Sequence, residues 1–158
     1  MTTPPDPTDD VEARVIADVG KYGWQVEMIP EDDEGPGFAY SVGIFHTFGH
    51  PEFIVFGLVP DEHHNIINLA GELVRNGMRF IDGDTSSGIL QGLDVRFRTV
   101  AKNHYREYLG FGGWFYKGDD FPTLQIVWPD SAGCFPGDEG FPEPFLRLQP
   151  DLSAGFDS

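Results

Sequence analysis

Positive charge is scarce in this chain: ten Lys and Arg stand against twenty-six Asp and Glu, a formal charge of −16 over 158 residues. A surface of that sign repels phosphate backbones and anionic lipid, so neither nucleic acid nor membrane is an expected partner. Cysteine is scarcer still. Cys134 stands alone, which excludes an internal disulfide and accords with a cytoplasmic protein. No apolar run is long enough to span a bilayer, and no apolar segment near Met1 reads as a signal peptide. Also missing are a Walker sequence, a Gly-x-Gly-x-x-Gly fingerprint and a hydrolase elbow, so no cofactor is expected. Ser41 sits inside an apolar run without the glycines of an elbow, and Cys134 has no neighbouring histidine to make a thiolate.

Aromatic residues, by contrast, are plentiful. Fourteen Phe, five Tyr and three Trp each bury about 150–250 Å², enough for one core in a chain of single-domain length. The Pro-rich stretch 1–8 reads as a disordered leader, 9–150 as a single domain and 151–158 as a flexible tail. Half of the negative excess lies early, since residues 1–34 carry ten acids and two bases. Those acids serve as a solvated face or, in a sharper reading, as a handle for a basic partner.

Local patterns predict the elements. Thr8 or Asp9 can cap a helix in which Val11, Val15, Ile16, Val19 and Tyr22 recur at helical spacing, ended by Gly23. Trp24, Val26 and Met28 alternate with polar residues as a half-buried strand ending at Pro30. The runs 38–44 and 53–58 are short, β-branched and aromatic, which marks them as central strands. Asp61 can cap a second helix, with Ile66, Ile67, Leu69, Ala70, Leu73 and Val74 on one face and Gly77 as its stop. Its first-turn histidines, His63 and His64, read as solvent-exposed and neutral. Residues 78–92 read as a loop or hairpin, 93–99 as a strand exposed on one face, 101–109 as a short helix and 123–128 as a last buried strand. Phe145, Leu146 and Leu148 suggest a short docking turn. The order implies an α+β fold, with a mixed, mostly antiparallel sheet covered by two or three helices.

Chemistry, if present, gathers near the turn that carries His46, His50, Pro51 and Glu52. His50 with Glu52, or His104 with Tyr105 and a carboxylate such as Asp130, can act as acid and base, because imidazole titrates near neutral pH and a carboxylate fixes its tautomer. His46, His50 and Glu52 are also metal-ligand types, with His63, His64 or His104 as the further ligand such a site needs. Phe48, Gly49 and Pro51 argue against a helix there, which weakens an i, i+4 histidine pair, and no metal is expected. A structural role, in which His50 and Glu52 tie down the turn through the backbone, is the competing reading. The run from Phe111 to Tyr116 is either core plus turn or a mobile pocket wall, with Lys117, Asp119 and Asp120 at its rim. The expected site therefore combines His50, Glu52 and His104 as reactive groups with Tyr40, His46, Tyr105, Trp114 and Tyr116 as ligand contacts.

The motifs FAYSVGI, GHPEF, HYREY and FPTLQIVWPD, in that order over roughly residues 20–130, resemble the bacterial family called domain of unknown function 4262. That resemblance implies a single small domain and no established activity. The composition and the candidate site point to a module that binds a small molecule or a protein. A His- or metal-dependent hydrolase or lyase, and an acidic protein that occupies a basic partner, are the alternatives.

Overall fold

Glu52–Phe56 (β3) is buried at all five positions, which places it at the centre of the architecture. A computed structural model describes residues 5–33, 35–57, 60–90, 92–130, 133–136, 148–150 and 152. The other strands are Gln25–Ile29 (β1), Phe38–Val42 (β2), Thr85–Leu90 (β4), Leu93–Thr99 (β5) and Thr123–Val127 (β6). They form one sheet in the order β1-β2-β3-β6-β5-β4. The β3–β6 pair is parallel and the other four pairs are antiparallel. Two three-stranded meanders are thus joined along one central parallel seam.

Helices cover both faces of this mixed α+β sheet. Pro60–Arg75 (α3) lays Ile66, Ile67, Ala70 and Val74 on Phe53, Val55, Phe97 and Ile126. Asp10–Tyr22 (α1), Tyr105–Tyr108 (α4) and Gly110–Tyr116 (α5) cover the opposite face, where Val15, Val19, Leu109 and Phe115 meet Tyr40, Ile54 and Phe56. Each large side chain buried in these two layers contributes about 1.5–3 kcal/mol.

Local signals account for much of this. Asp9 caps α1 by accepting the Glu12 N–H at 2.8 Å, and Gly23 ends it at φ +102°. β5 alternates as its sequence demands, with Val95 and Phe97 fully buried. The loop-or-hairpin stretch contains β4, paired with β5. The expected helix at 101–109 is a 3₁₀ turn, Lys102–His104, running into α4.

Three expectations are corrected. The run 38–44 ends as a strand at Val42, and Ile44–Phe48 is a short helix (α2), with Gly49 as its left-handed cap at φ +70°. The aromatic run from Phe111 to Tyr116 is helical, as part of α5, where a turn was expected. His63 is only 2% exposed, because it shares the inward face of α3 with Ile66 and Ile67, whereas His64 is exposed. The Asp61 cap, Phe145 and Leu146 lie outside the residues whose side chains are described.

A strap closes the sheet from behind. The Gln149 side chain accepts the Trp128 N–H at 2.9 Å and donates to the Trp128 carbonyl at 2.8 Å. Gln125 donates to the Pro150 carbonyl at 2.8 Å and accepts the Leu152 N–H at 3.2 Å. Leu152, 1% exposed, is seated in the α1-side core.

Candidate functional site

Glu52 begins β3, and its carboxylate is fully buried. Oε1 accepts the Ser41 hydroxyl at 2.7 Å and the Ile44 N–H at 3.1 Å. Oε2 accepts the N–H of Gly43 at 2.9 Å, the N–H of Phe45 at 3.1 Å and the Tyr116 hydroxyl. The first amides of a helix have no partner within it, and a negative charge there is favoured by the helix dipole. Glu52 therefore caps α2 from the neighbouring strand. Burial pushes the Glu52 carboxyl above the ordinary carboxylate range, and the bonds from Tyr116, Ser41, Phe45 and Gly43 restrain that rise.

The local sequence is shaped around this carboxylate. At Gly43, φ is +114°, and a Cβ would lie 2.8 Å from Val19 and 2.9 Å from the Gly23 carbonyl, so only glycine can turn the chain there. Ser41 does double duty: its hydroxyl also accepts the Phe53 N–H at 2.9 Å, standing in for main-chain pairing where β2 and β3 part. Tyr116 in turn accepts the His46 N–H at 3.0 Å. Burial, then the charge of Glu52, push the Tyr116 phenol pKa up, which keeps it a donor.

His50 is anchored on the other side of β3. Its Nδ1 lies 2.9 Å from the Pro51 carbonyl, and its Nε2 accepts the Phe80 N–H at 3.0 Å. That pattern assigns the proton to Nδ1 and the neutral form to the ring. Burial lowers the His50 pKa, opposed by the Pro51 bond. The ring packs on Phe53 at 5.3 Å and edge-on to Phe80 at 5.9 Å, in the core beneath α3. Both nitrogens of His50 and both oxygens of Glu52 are thus engaged by different parts of the chain, on opposite sides of one strand.

The remaining expected contacts are distributed over the α5 side. Tyr40, 2% exposed, accepts the Phe111 N–H at 3.0 Å and so serves the start of α5. The His46 ring meets Phe115 edge-on at 5.6 Å, and Phe45 meets Tyr116 at the same distance, so the turn and the aromatic run pack ring against ring. Trp114 is half-buried beside Phe111 and Phe115. Tyr105 is 5% exposed, packed on Phe121 at 4.9 Å with the Lys102 ammonium 4.8 Å from its ring centre. His104 is 6% exposed and lies 6.2 Å from the Tyr108 ring. Glu52, Tyr116 and His46 are joined directly; Ser41 and Gly43 complete the cluster and were not among the expected residues. The available signal for them was a glycine interrupting an apolar run, which marks a forced turn.

Two clefts open beside these elements. One, of about 290 Å³, is lined by His50, Arg79, Phe80, Asp82, Thr99 and Pro122 among others. The second, of about 320 Å³, lies along α4 and α5, where Lys102, Tyr105, Arg106, Leu109, Gly113 and Asp119 contribute. Among the described residues no group of three or more His, Cys, Asp or Glu side chains is placed to hold a metal ion.

No curated protein and no solved structure matches this chain. The family model described as Domain of unknown function (DUF4262) matches residues 18–142, which include every described strand, the Glu52 cluster and His50. The chain belongs to that family.

Proposed function

We propose that this protein is a non-catalytic binding module, in which Glu52, His50, Tyr40 and Tyr116 hold the recognition elements in place. The observation that carries this reading is the complete use of Glu52 and His50 by the chain itself. A general base needs a lone pair facing substrate, and the Nε2 lone pair of His50 faces the Phe80 amide. Glu52 likewise spends both oxygens on five donors. His104, Tyr105 and Trp114 remain as contact residues on or beside α4 and α5.

The cleft along those helices suits a small molecule in size. Two glycines there are required neither by packing nor by backbone conformation. Nothing lies within 4 Å of a Cβ placed on Gly110, and only the Gly118 carbonyl, at 3.9 Å, on Gly113. Gly112, in the same helix, is needed, because a Cβ there would press on Phe121 at 3.0 Å. Glycine in a helix costs about 1 kcal/mol relative to alanine, so the bare floor at 110 and 113 fits a ligand that approaches closely. Among the described residues no helix is long and apolar enough to cross a membrane, and with its single cysteine the module suits the cytoplasm.

A thermal-shift panel of small metabolites against the wild type and Gly113→Leu tests the reading. A compound that raises Tm in the wild type and not in Gly113→Leu supports it. Turnover of any bound compound that disappears in a folded His50→Gln variant would replace it with the enzyme reading.

A further inference from the structure

The two outer strands of the sheet differ. β4 is irregular, its register shifting between Ser86 and Leu90 around Gly88, the kind of bulge that blunts an edge against further pairing. β1 keeps an unbroken register with β2 from Gln25 to Ile29, and among the described strands none pairs with its outer side. An unpaired regular edge offers a row of main-chain donors and acceptors.

A groove of about 450 Å³ opens beside the start of that edge, with Trp24, Gln25 and Val26 among its lining. Asp18 and Tyr22 of α1 form one wall, and His64, Asn68, Glu72 and Arg75 of α3 form the other. The α3 wall runs over twelve residues, from His64 to Arg75, about 18 Å at the helical rise. Of β1 itself, Gln25 and Val26 line the groove, so it opens on the first half of the strand.

Its chemistry is one-sided. The Oε1 atoms of Gln25 and Glu27 are buried acceptors with no hydrogen-bond partner. Burial and then the neighbouring charge of Asp18 push the Glu27 carboxyl up. Arg75 is the groove's one Lys or Arg, and it is already engaged: it donates to the Tyr22 carbonyl, lies 3.5 Å from Glu72 and covers the Trp24 ring at 4.9 Å. Asp18, Glu27 and the half-exposed Glu72 thus outnumber the one arginine at this end of the sheet, a charge balance that favours a basic chain.

We infer that the free edge of β1 takes an extended basic peptide of a partner protein as a seventh strand, with its Lys or Arg side chains reaching Asp18, Glu27 and Glu72. Main-chain pairing supplies affinity and the side-chain charges supply selectivity, as in other strand-addition complexes. A second copy of the chain is a poor occupant, because symmetric antiparallel pairing of β1 with β1 would set Glu27, the central residue of the strand, against its own copy. The inference goes beyond the small-ligand reading and uses none of its cleft residues.

The test uses a fluorescein-labelled ten-residue peptide that alternates lysine and valine, its glutamate–valine counterpart, and the full chain. Anisotropy should report binding of the lysine peptide alone, and lower affinity at physiological salt than at low salt. Removing charge with Asp18→Asn and Glu27→Gln should weaken it by about two- to fivefold each, with near-UV circular dichroism unchanged. Amide exchange should slow at residues 25–29 on binding and stay the same at 85–90. Equal binding of the glutamate peptide, protection at 85–90 or elsewhere, or no binding at low salt would overturn the inference. Protection of 25–29 that rises with protein concentration alone would overturn it in favour of a second copy. A metabolite shift lost in Gly113→Leu stands or falls separately from all of these.

Discussion

The Tyr116 hydroxyl donates to Glu52 Oε2 while it accepts the main-chain N–H of His46, so a single phenol joins α5, β3 and α2 across 70 residues of chain. Removing that oxygen leaves a buried amide and a buried carboxylate each short of a partner. Tyr116→Phe should lower stability by about 1–3 kcal/mol in urea unfolding. Glu52→Gln should cost more, since its NH2 would face N–H groups that can only donate. The double variant should cost less than the two single losses added, because they share one bond. Strict additivity would show that the two residues act separately.

Acid should weaken the fold through its buried histidines. His50 and His63 titrate below their ordinary 6.5 in the folded state, burial being the main cause for both. Between 6.5 and the folded pKa the unfolded chain binds more protons, so stability falls as pH drops through that window and is fully present above 6.5. Glu52 works in the opposite sense, since its folded pKa is raised from 4.5 and its protonation on acidification favours the folded chain. Comparing wild type with His50→Gln cancels the Glu52 contribution. The urea midpoint should drop further in the wild type than in the variant from pH 7.5 to 5.5; equal drops would mean that His50 is not held neutral.

Two glycine-to-alanine changes in helices should have opposite signs. Gly71 faces the Trp24 ring, and a Cβ there would lie 2.6 Å from Cζ2. Gly71→Ala should therefore cost about 1–3 kcal/mol through overpacking and shift the Trp24 emission. Gly113→Ala meets only the Gly118 carbonyl, at an ordinary 3.9 Å, and should gain up to about 1 kcal/mol. A stabilised Gly71→Ala would mean that α3 can move away from Trp24 at little cost.

Gln149 offers a test of the strap. Its replacement by alanine strips partners from both main-chain groups of Trp128. Such a loss should cost about 1–3 kcal/mol, and limited proteolysis should cut near residue 150 earlier than in the wild type. Unchanged cleavage would show that Gln125 and Leu152 hold the strap without it.

Legibility in the sequence follows the range of the interactions that build each element. α1, β5 and β6 can be read directly: Asp9, Gly23 and the alternation of Leu93–Thr99 act within a few residues of themselves. α2 cannot, because the group that caps it arrives from β3 after an intervening turn. α5 is harder still, since three of its seven residues are glycine and its ends are held by Tyr40 and Glu52, strands away. The turn around His50 and Glu52 is legible as a place where the chain concentrates polar groups. Their use as buried anchors depends on Phe80 and Tyr116, whose approach only the folded sheet brings about.

The parallel seam also sets a timetable for the growing chain. β3 and β2 can pair as soon as they leave the ribosome, but the partner for the other side of β3 starts at Thr123, 71 positions after Glu52. At about 5–20 residues per second, a strand buried at all five positions waits roughly 4–14 s with one edge unmated. During that interval α3 shields one face of it, while α4 and α5, which cover the other, are still unmade. Slower synthesis of residues 57–122 lengthens the exposure, so soluble yield should track elongation speed through that stretch more closely than the stability of the finished fold.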